Sequence, residues 1–155
     1  MRLILFSILF SLFSFSVYAV NDRSEEGLDP FILIARVLVK PDMVKEYLEI
    51  ANIVDDKVNQ AEPGMLFHNF DSDPDNPLAF NWTEVYQNSE ALIEHLNASY
   101  VAEYVTESNK IGDITMIEIY GNLSQDAIKT LEGLGLPFKH FKSTQVGFVR
   151  KKYFK

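Results

Sequence analysis

At 155 residues the chain is one domain, long enough to bury a substantial core, and its 47% hydrophobic and 23% charged residues are ordinary globular values. It has no Cys, which excludes a disulfide framework, a thiolate metal site, a Cys nucleophile and a Cys-anchored lipoprotein N-terminus. The formal net charge of −8 is unevenly placed: residues 133–155 carry +6 with no acid, which leaves residues 20–132 at −15 and argues against nucleic-acid binding.

Residues 1–19 read as a secretory signal peptide. Arg2 gives a positive start, LILFSILFSLFSF is an unbroken apolar run, and Val17-Tyr18-Ala19 offers a small-residue cleavage site. The expectation is an exported protein, periplasmic or secreted, with no stable membrane insertion after cleavage. An uncleaved anchor is the alternative, because Leu3 to Val20 approaches spanning length. Residues 20–30 are a polar linker that ends at Pro30.

Phe31 to Val39, FILIARVLV, reads as a strand buried on both faces. Arg36 interrupts it and needs an acid, a bound anion or an outlet to water. Lys40-Pro41-Asp42 opens an amphipathic helix, with Val44, Tyr47, Leu48, Ala51, Val54, Val58 and Ala61 on its apolar face. Pro63-Gly64 stops it. Met65 to Asp71 is a second strand, with His68 on the face of Leu66 and Phe70 and Asn69 on the other. The Asp71–Pro77 stretch is dense in turn residues. It lacks the glycine and closing Glu of a calcium loop and reads as a hairpin tip.

Phe80, Trp82, Glu84 and Tyr86 share one face of the third strand, and Asn81, Thr83 and Val85 share the other. Asn88 or Ser89 caps the next helix. Leu92, His95, Leu96 and Ser99 recur at helical spacing, so His95 sits among leucines, either as a site residue or as a hydrogen-bonded core histidine. Tyr100, Val101, Tyr104 and Val105 continue the helix, Asn109 to Asp113 turns, and Ile114 to Asn122 is the fourth strand. The order β-α-β-β-α-β predicts an α+β, ferredoxin-like fold: a four-stranded antiparallel sheet with helices on one face. Strands this apolar leave the other face in need of a partner, which predicts an isologous homodimer.

Residues 123–155 extend this core. Ser124 to Leu134 reads as a short helix, and Phe138 to Tyr153 as one or two strands, for instance Thr144 to Val149. The basic tail docks on an acidic body, binds an anionic membrane surface, or is a solvated end. His140, between Phe138 and Phe141, has no assigned role.

The order and spacing of several motifs resemble the antibiotic biosynthesis monooxygenase family of dimeric α+β barrels, which includes small quinol monooxygenases. They are Val39-Lys40-Pro41, Glu62-Pro63-Gly64-Met65, Trp82-Thr83-Glu84-Val85-Tyr86 followed by Ser89-Glu90-Ala91, then Glu94-His95-Leu96 and Tyr104. The likeness covers about residues 31–122.

The resemblance implies oxidation of quinols or phenols by O₂ without a cofactor, in a pocket between sheet and helices. Such a ring must lose a proton before it yields an electron, so one base in a dry aromatic pocket suffices. His95 is the candidate base. Trp82 and Tyr86 or Tyr104 are candidate wall and hydrogen-bond partners, with His68 and Asn69 next. Trp82 and Asn81 cannot both face the pocket. Heme-degrading relatives place a ligand His where this chain has Tyr100 to Thr106, which holds none. Three scattered histidines make a poor metal site. A non-catalytic barrel that binds a small hydrophobic ligand or a partner protein is the rival reading, and heme binding is a third.

Overall fold

A computed structural model describes residues 27–142 and 145–153. The signal-peptide expectation for residues 1–19 lies outside the described residues, as does most of the linker. Among the described residues no helix is long and apolar enough to cross a membrane.

The elements in chain order are β1 (Phe31–Val39), α1 (Val44–Ala61), β2 (Met65–Ser72), β3 (Ala79–Tyr86), α2 (Ser89–Asn97), α3 (Ser99–Ile111), β4 (Gly112–Tyr120), α4 (Gln125–Gly133) and β5 (Phe138–Phe141). A 3₁₀ turn, Lys151–Tyr153, follows. The sheet order is β2-β3-β1-β4-β5. β1 is central and pairs antiparallel with β3 and β4, and β2 pairs antiparallel with β3.

The sheet is five-stranded and mixed, not four-stranded and antiparallel. β5 runs parallel to β4, with Ile117 opposite Phe138 and Tyr120 opposite Phe141. A parallel neighbour needs a long crossover, and α4 supplies it. Ser124 caps α4 by accepting from Ala127 N at 3.2 Å, and Ala127 and Leu131 pack into the core. No strand forms over residues 145–149; Thr144, where the expected strand began, lies outside the described residues. Among the described residues the tail meets the acidic body at one ion pair, Lys151 Nζ to Asp29 Oδ1 at 3.6 Å.

Two further expectations are corrected. Asn109 to Asp113 is not a turn: α3 runs to Ile111 and passes directly into β4, because Ile111 is buried and its carbonyl accepts from Lys40 N at 2.8 Å. β1 is not buried on both faces. Phe31, Leu33, Ala35, Val37 and Val39 are buried against the helices, whereas Ile32 and Leu38 on the other face are 42% and 43% exposed. Arg36 shares that open face and has an acid after all: its Nε and Nη2 donate to Glu118 Oε2 at 3.0 and 2.7 Å.

The β2–β3 turn is held by its own side chains. Asp73 Oδ1 accepts from Asp75 N and Asn76 N at 2.8 and 3.1 Å, as expected of a hairpin tip. Among the described residues no group of three or more His, Asp or Glu is placed to hold a metal ion.

Candidate active site

The pleat of β3 settles which of its faces meets the helices. Phe80, Trp82, Glu84 and Tyr86 are buried beneath them, and Asn81, Thr83 and Val85 lie on the open face. Register carries this across to β2, where His68 stands opposite Glu84 and Phe70 opposite Trp82. Asn69 pairs with Thr83 and is exposed; it touches only the cleft at the α1–β2 edge and does not line the cavity. The other five candidates, His68, Trp82, Tyr86, His95 and Tyr104, line one cavity of ≈ 320 Å³ between the sheet and the helices. Its wall is otherwise mostly apolar, with Val101 and Val105 from α3 and Ile117 from β4. Leu131, Leu134 and Leu136, from the C-terminal extension, complete it.

Helix α2 brings His95 to this cavity. Asn88 caps the helix by accepting from Ala91 N at 3.0 Å, as its sequence predicts. Gly64 lets the helix come close: a Cβ there would lie 2.7 Å from Ala91 Cβ. The Glu62-Pro63-Gly64 turn and α2 are therefore pressed together, and this puts the Glu62 carboxylate against His95. His95 Nδ1 donates to Glu62 Oε2 at 2.9 Å, with Oε1 at 3.2 Å. Tyr100 Oη donates to Glu62 Oε1 at 2.7 Å. With Nδ1 bound to the carboxylate, Nε2 is the nitrogen left for the cavity.

Burial lowers the basicity of His95, but the hydrogen bond to Glu62 and the charges of Glu84 and Glu62 outweigh it, so its pKa lies above the ordinary 6.5. Burial pushes Glu62 up, and the hydrogen bonds from His95 and Tyr100, with the charges of His95 and His68, pull it net below its usual 4.5. The pair is an imidazole oriented and made more basic by a buried carboxylate, the arrangement that suits a general base. Tyr100 is raised to about 12 by burial and by Glu62, so it remains a donor.

A second polar group lies beside the first. Tyr86 Oη donates to Glu84 Oε2 at 2.6 Å, and burial with the Glu84 charge holds Tyr86 well above its normal pKa. His68 Nδ1 is 2.7 Å from Asp55 Oδ1, and its ring stacks on Trp82 at 4.3 Å. Trp82 Nε1 donates to Tyr104 Oη at 2.9 Å, and Tyr104 Oη is 2.8 Å from Tyr47 Oη. Burial, then Tyr47, raises Tyr104, so this chain of hydroxyls stays protonated and fixes the aromatic wall.

The residue reading missed Glu62, Asp55, Glu84, Tyr47 and Tyr100 as site members. Glu62 had a signal, the Glu-Pro-Gly motif, but counts there only toward the family resemblance. Asp55 lies on α1 and Glu62 caps its C-terminus, a placement that points toward a shared role only once both histidines are placed.

The sequence model for "Antibiotic biosynthesis monooxygenase" matches residues 30–107. An uncharacterized protein of Synechocystis sp., sll1783, is 29% identical over 80 residues, which are 52% of this chain and 54% of that protein; the chain thus spans about half the length of the curated relative it matches. Among solved structures, MupZ from Pseudomonas fluorescens superposes with a TM-score of 0.61 at 19% identity, covering 78% of this chain and 95% of that one. A proposed antibiotic biosynthesis monooxygenase from Caulobacter crescentus gives 0.57 at 18% identity, over 63% and 93% of the two chains. At these identities the two structures speak for the fold alone.

Proposed function

The chain belongs to the antibiotic biosynthesis monooxygenase family, and from that premise we propose that it is a cofactor-independent monooxygenase that oxidises a quinol-like or phenolic aromatic with O₂. The observation that carries this reading is the His95–Glu62 pair, whose imidazole lines an aromatic-walled cavity. His95 Nε2 takes the phenolic proton, and Glu62 stabilises the imidazolium that forms. The electron-rich phenolate then reduces O₂. A phenol with an open para carbon takes one oxygen atom there and loses the other as water, giving a quinone. A quinol already carrying both oxygens is oxidised without oxygen insertion, as by an oxidase, and gives the quinone and H₂O₂. Protons, electrons and oxygen atoms balance in both cases.

The mostly apolar wall favours one rival, a module that binds a small hydrophobic ligand without turning it over. Oxygen uptake by the purified protein, given a panel of reduced quinols and phenols, separates the two. Saturable uptake above autoxidation, falling by about 10²-fold in His95→Ala, is the expected result. Uptake equal to autoxidation for every compound overturns the enzymatic reading. A Soret band on heme addition would favour the heme reading instead.

The proposal extends to assembly and location. Ile32, Leu38, Phe67 and Tyr120 are exposed on the open sheet face, which supports a homodimer formed sheet to sheet. The leader-like residues 1–19 support action outside the cytoplasm, and the N-terminal mass of protein recovered from the periplasm or medium tests that.

A further inference from the structure

Two histidines that line the cavity are each paired with a carboxylate, and the mechanism above uses one pair. Asp55 on α1 and Glu62, which caps the C-terminus of that helix, supply the two carboxylates. Glu62 grips Nδ1 of His95 on α2, and Asp55 grips Nδ1 of His68 on β2 at 2.7 Å. The two imidazole rings stand 6.1 Å apart, centre to centre, and both line the cavity. In each ring Nδ1 is tied to its carboxylate, so Nε2 is the free nitrogen. That of His68 lies 4.0 Å from Glu84 Oε1, too far for a hydrogen bond. Glu84 is itself buried and lines the same cavity, and among the described residues its Oε1 receives no hydrogen bond. His68 and Glu84 on the sheet and His95 on α2 therefore bring neighbouring acceptors to the cavity.

From this we infer that the cavity takes an ortho-dihydroxyarene, with one hydroxyl on His95 and the neighbouring hydroxyl on His68. This rests on the proposed oxidation of a quinol-like ring and narrows its substrate class. Adjacent acceptors fit adjacent hydroxyls. A ring with hydroxyls at opposite ends sets them too far apart for two imidazoles 6.1 Å from centre to centre to bind both. The chemistry uses both bases in turn. His95 takes the first proton, and the monoanion passes one electron to O₂, which leaves a semiquinone and superoxide. The remaining hydroxyl of the semiquinone gives its proton to His68 as the second electron leaves. The products are an ortho-quinone and peroxide, and the two imidazolium ions return their protons to give H₂O₂. Asp55 acts through His68 and is a positioning residue.

The test is binding without turnover. 4-Nitrocatechol and 4-nitrophenol are titrated anaerobically into wild type, His68→Ala, Asp55→Asn and His95→Ala, and followed by their phenolate absorbance. Wild type is expected to favour the catechol by roughly five-fold or more, the size of one added hydrogen bond. His68→Ala should erase that preference, so that catechol and phenol bind alike. Asp55→Asn, a change at a half-exposed helix position that does not endanger folding, should reduce it. His95→Ala should weaken both ligands. Equal affinities in wild type, or a preference that survives His68→Ala, overturn the inference and leave the phenol-oxidising reading standing. If neither compound binds wild type, the cavity is not a phenol site and both fall.

Discussion

β1 alternates the same kinds of residue onto two faces, and the two faces have different fates. Phe31, Leu33 and Val37 point under the helices and are buried, alongside Trp82 and Tyr86 from β3 and Ile119 from β4. Ile32, Ile34 and Leu38 point the other way, beside Phe67, Val85 and Tyr120, and meet no helix. The covered face carries the buried aromatics, the buried charges and the cavity. The open face carries aliphatics, Phe67 and Tyr120, Asn81 and Thr83, and, among the described residues, a single ion pair. Apolar character in a strand says that both faces want cover. It does not say which cover comes from the same chain, and the cavity lies on the face that the chain's own helices cover.

The largest effect expected from this difference is on stability. Ile119 is fully buried, so Ile119→Ala should cost about 2–5 kcal/mol in urea denaturation. Ile32→Ala, on a side chain 42% exposed in the single chain, should cost less than half of that in dilute protein. Equal costs would mean that the open face is covered even in dilute solution.

Next in size is assembly. Ile32→Glu places a charge in the middle of the open face, between Val85 and Tyr120 on the neighbouring strands. A sheet-to-sheet dimer would have to bury it unpaired, so its dissociation constant should rise by about 10²-fold or more while the monomer stays folded. Sedimentation equilibrium reads this directly. A monomeric wild type, or a dimer indifferent to the substitution, would remove the homodimer from the account.

How much of this was legible in the residues follows from what each pattern encodes. The period of 3.6 in Tyr47, Ala51, Val54 and Val58 placed α1 and alternation placed β2 and β3, whereas β1 was read from a continuous apolar run that implied burial on both faces. Alternation is symmetric under exchange of faces, so it could not choose Trp82 over Asn81; the pairing of β3 against β1 and β2 does that. The carboxylates were harder still. Glu62 closes a helix and Asp55 stands on an otherwise solvated one, and only the fold carries His95 and His68 to them from 33 and 13 residues away. β5 was read as strand, yet its parallel placement depends on where α4 packs, which no local signal states.

A smaller effect, on the covered face, is the dependence of stability on pH. His95 has its pKa raised on folding, so its contribution is full below the unfolded value of 6.5 and is lost as pH rises through the folded one. Glu62 is lowered, so its contribution is full above 4.5 and is lost as pH falls through its folded value. Their mutual support is therefore greatest between about pH 4.5 and 6.5. Proton abstraction needs neutral His95, so activity should rise with pH where this stabilisation declines. Urea midpoints at pH 5.5 and pH 9, for wild type and Glu62→Gln, check the sign. The wild type should lose midpoint between the two, and the variant should lose less. A wild-type midpoint that climbs over that range would contradict a raised His95.

The smallest effect belongs to the one ion pair of the open face, and its size depends on what covers that face. Arg36 is 48% exposed in the single chain and Glu118 is 13% exposed. A pair so placed is screened by water, and Arg36→Ala should cost no more than about 1 kcal/mol in dilute protein. In a sheet-to-sheet dimer the same substitution would strand Glu118 in an interface without its partner, a far costlier position for a carboxylate. The drop in melting temperature caused by Arg36→Ala should then widen as protein concentration rises, whereas that caused by Ile119→Ala should not. A drop that stays small and constant across concentrations would mean that water, not a second copy, is what Arg36 and Glu118 face.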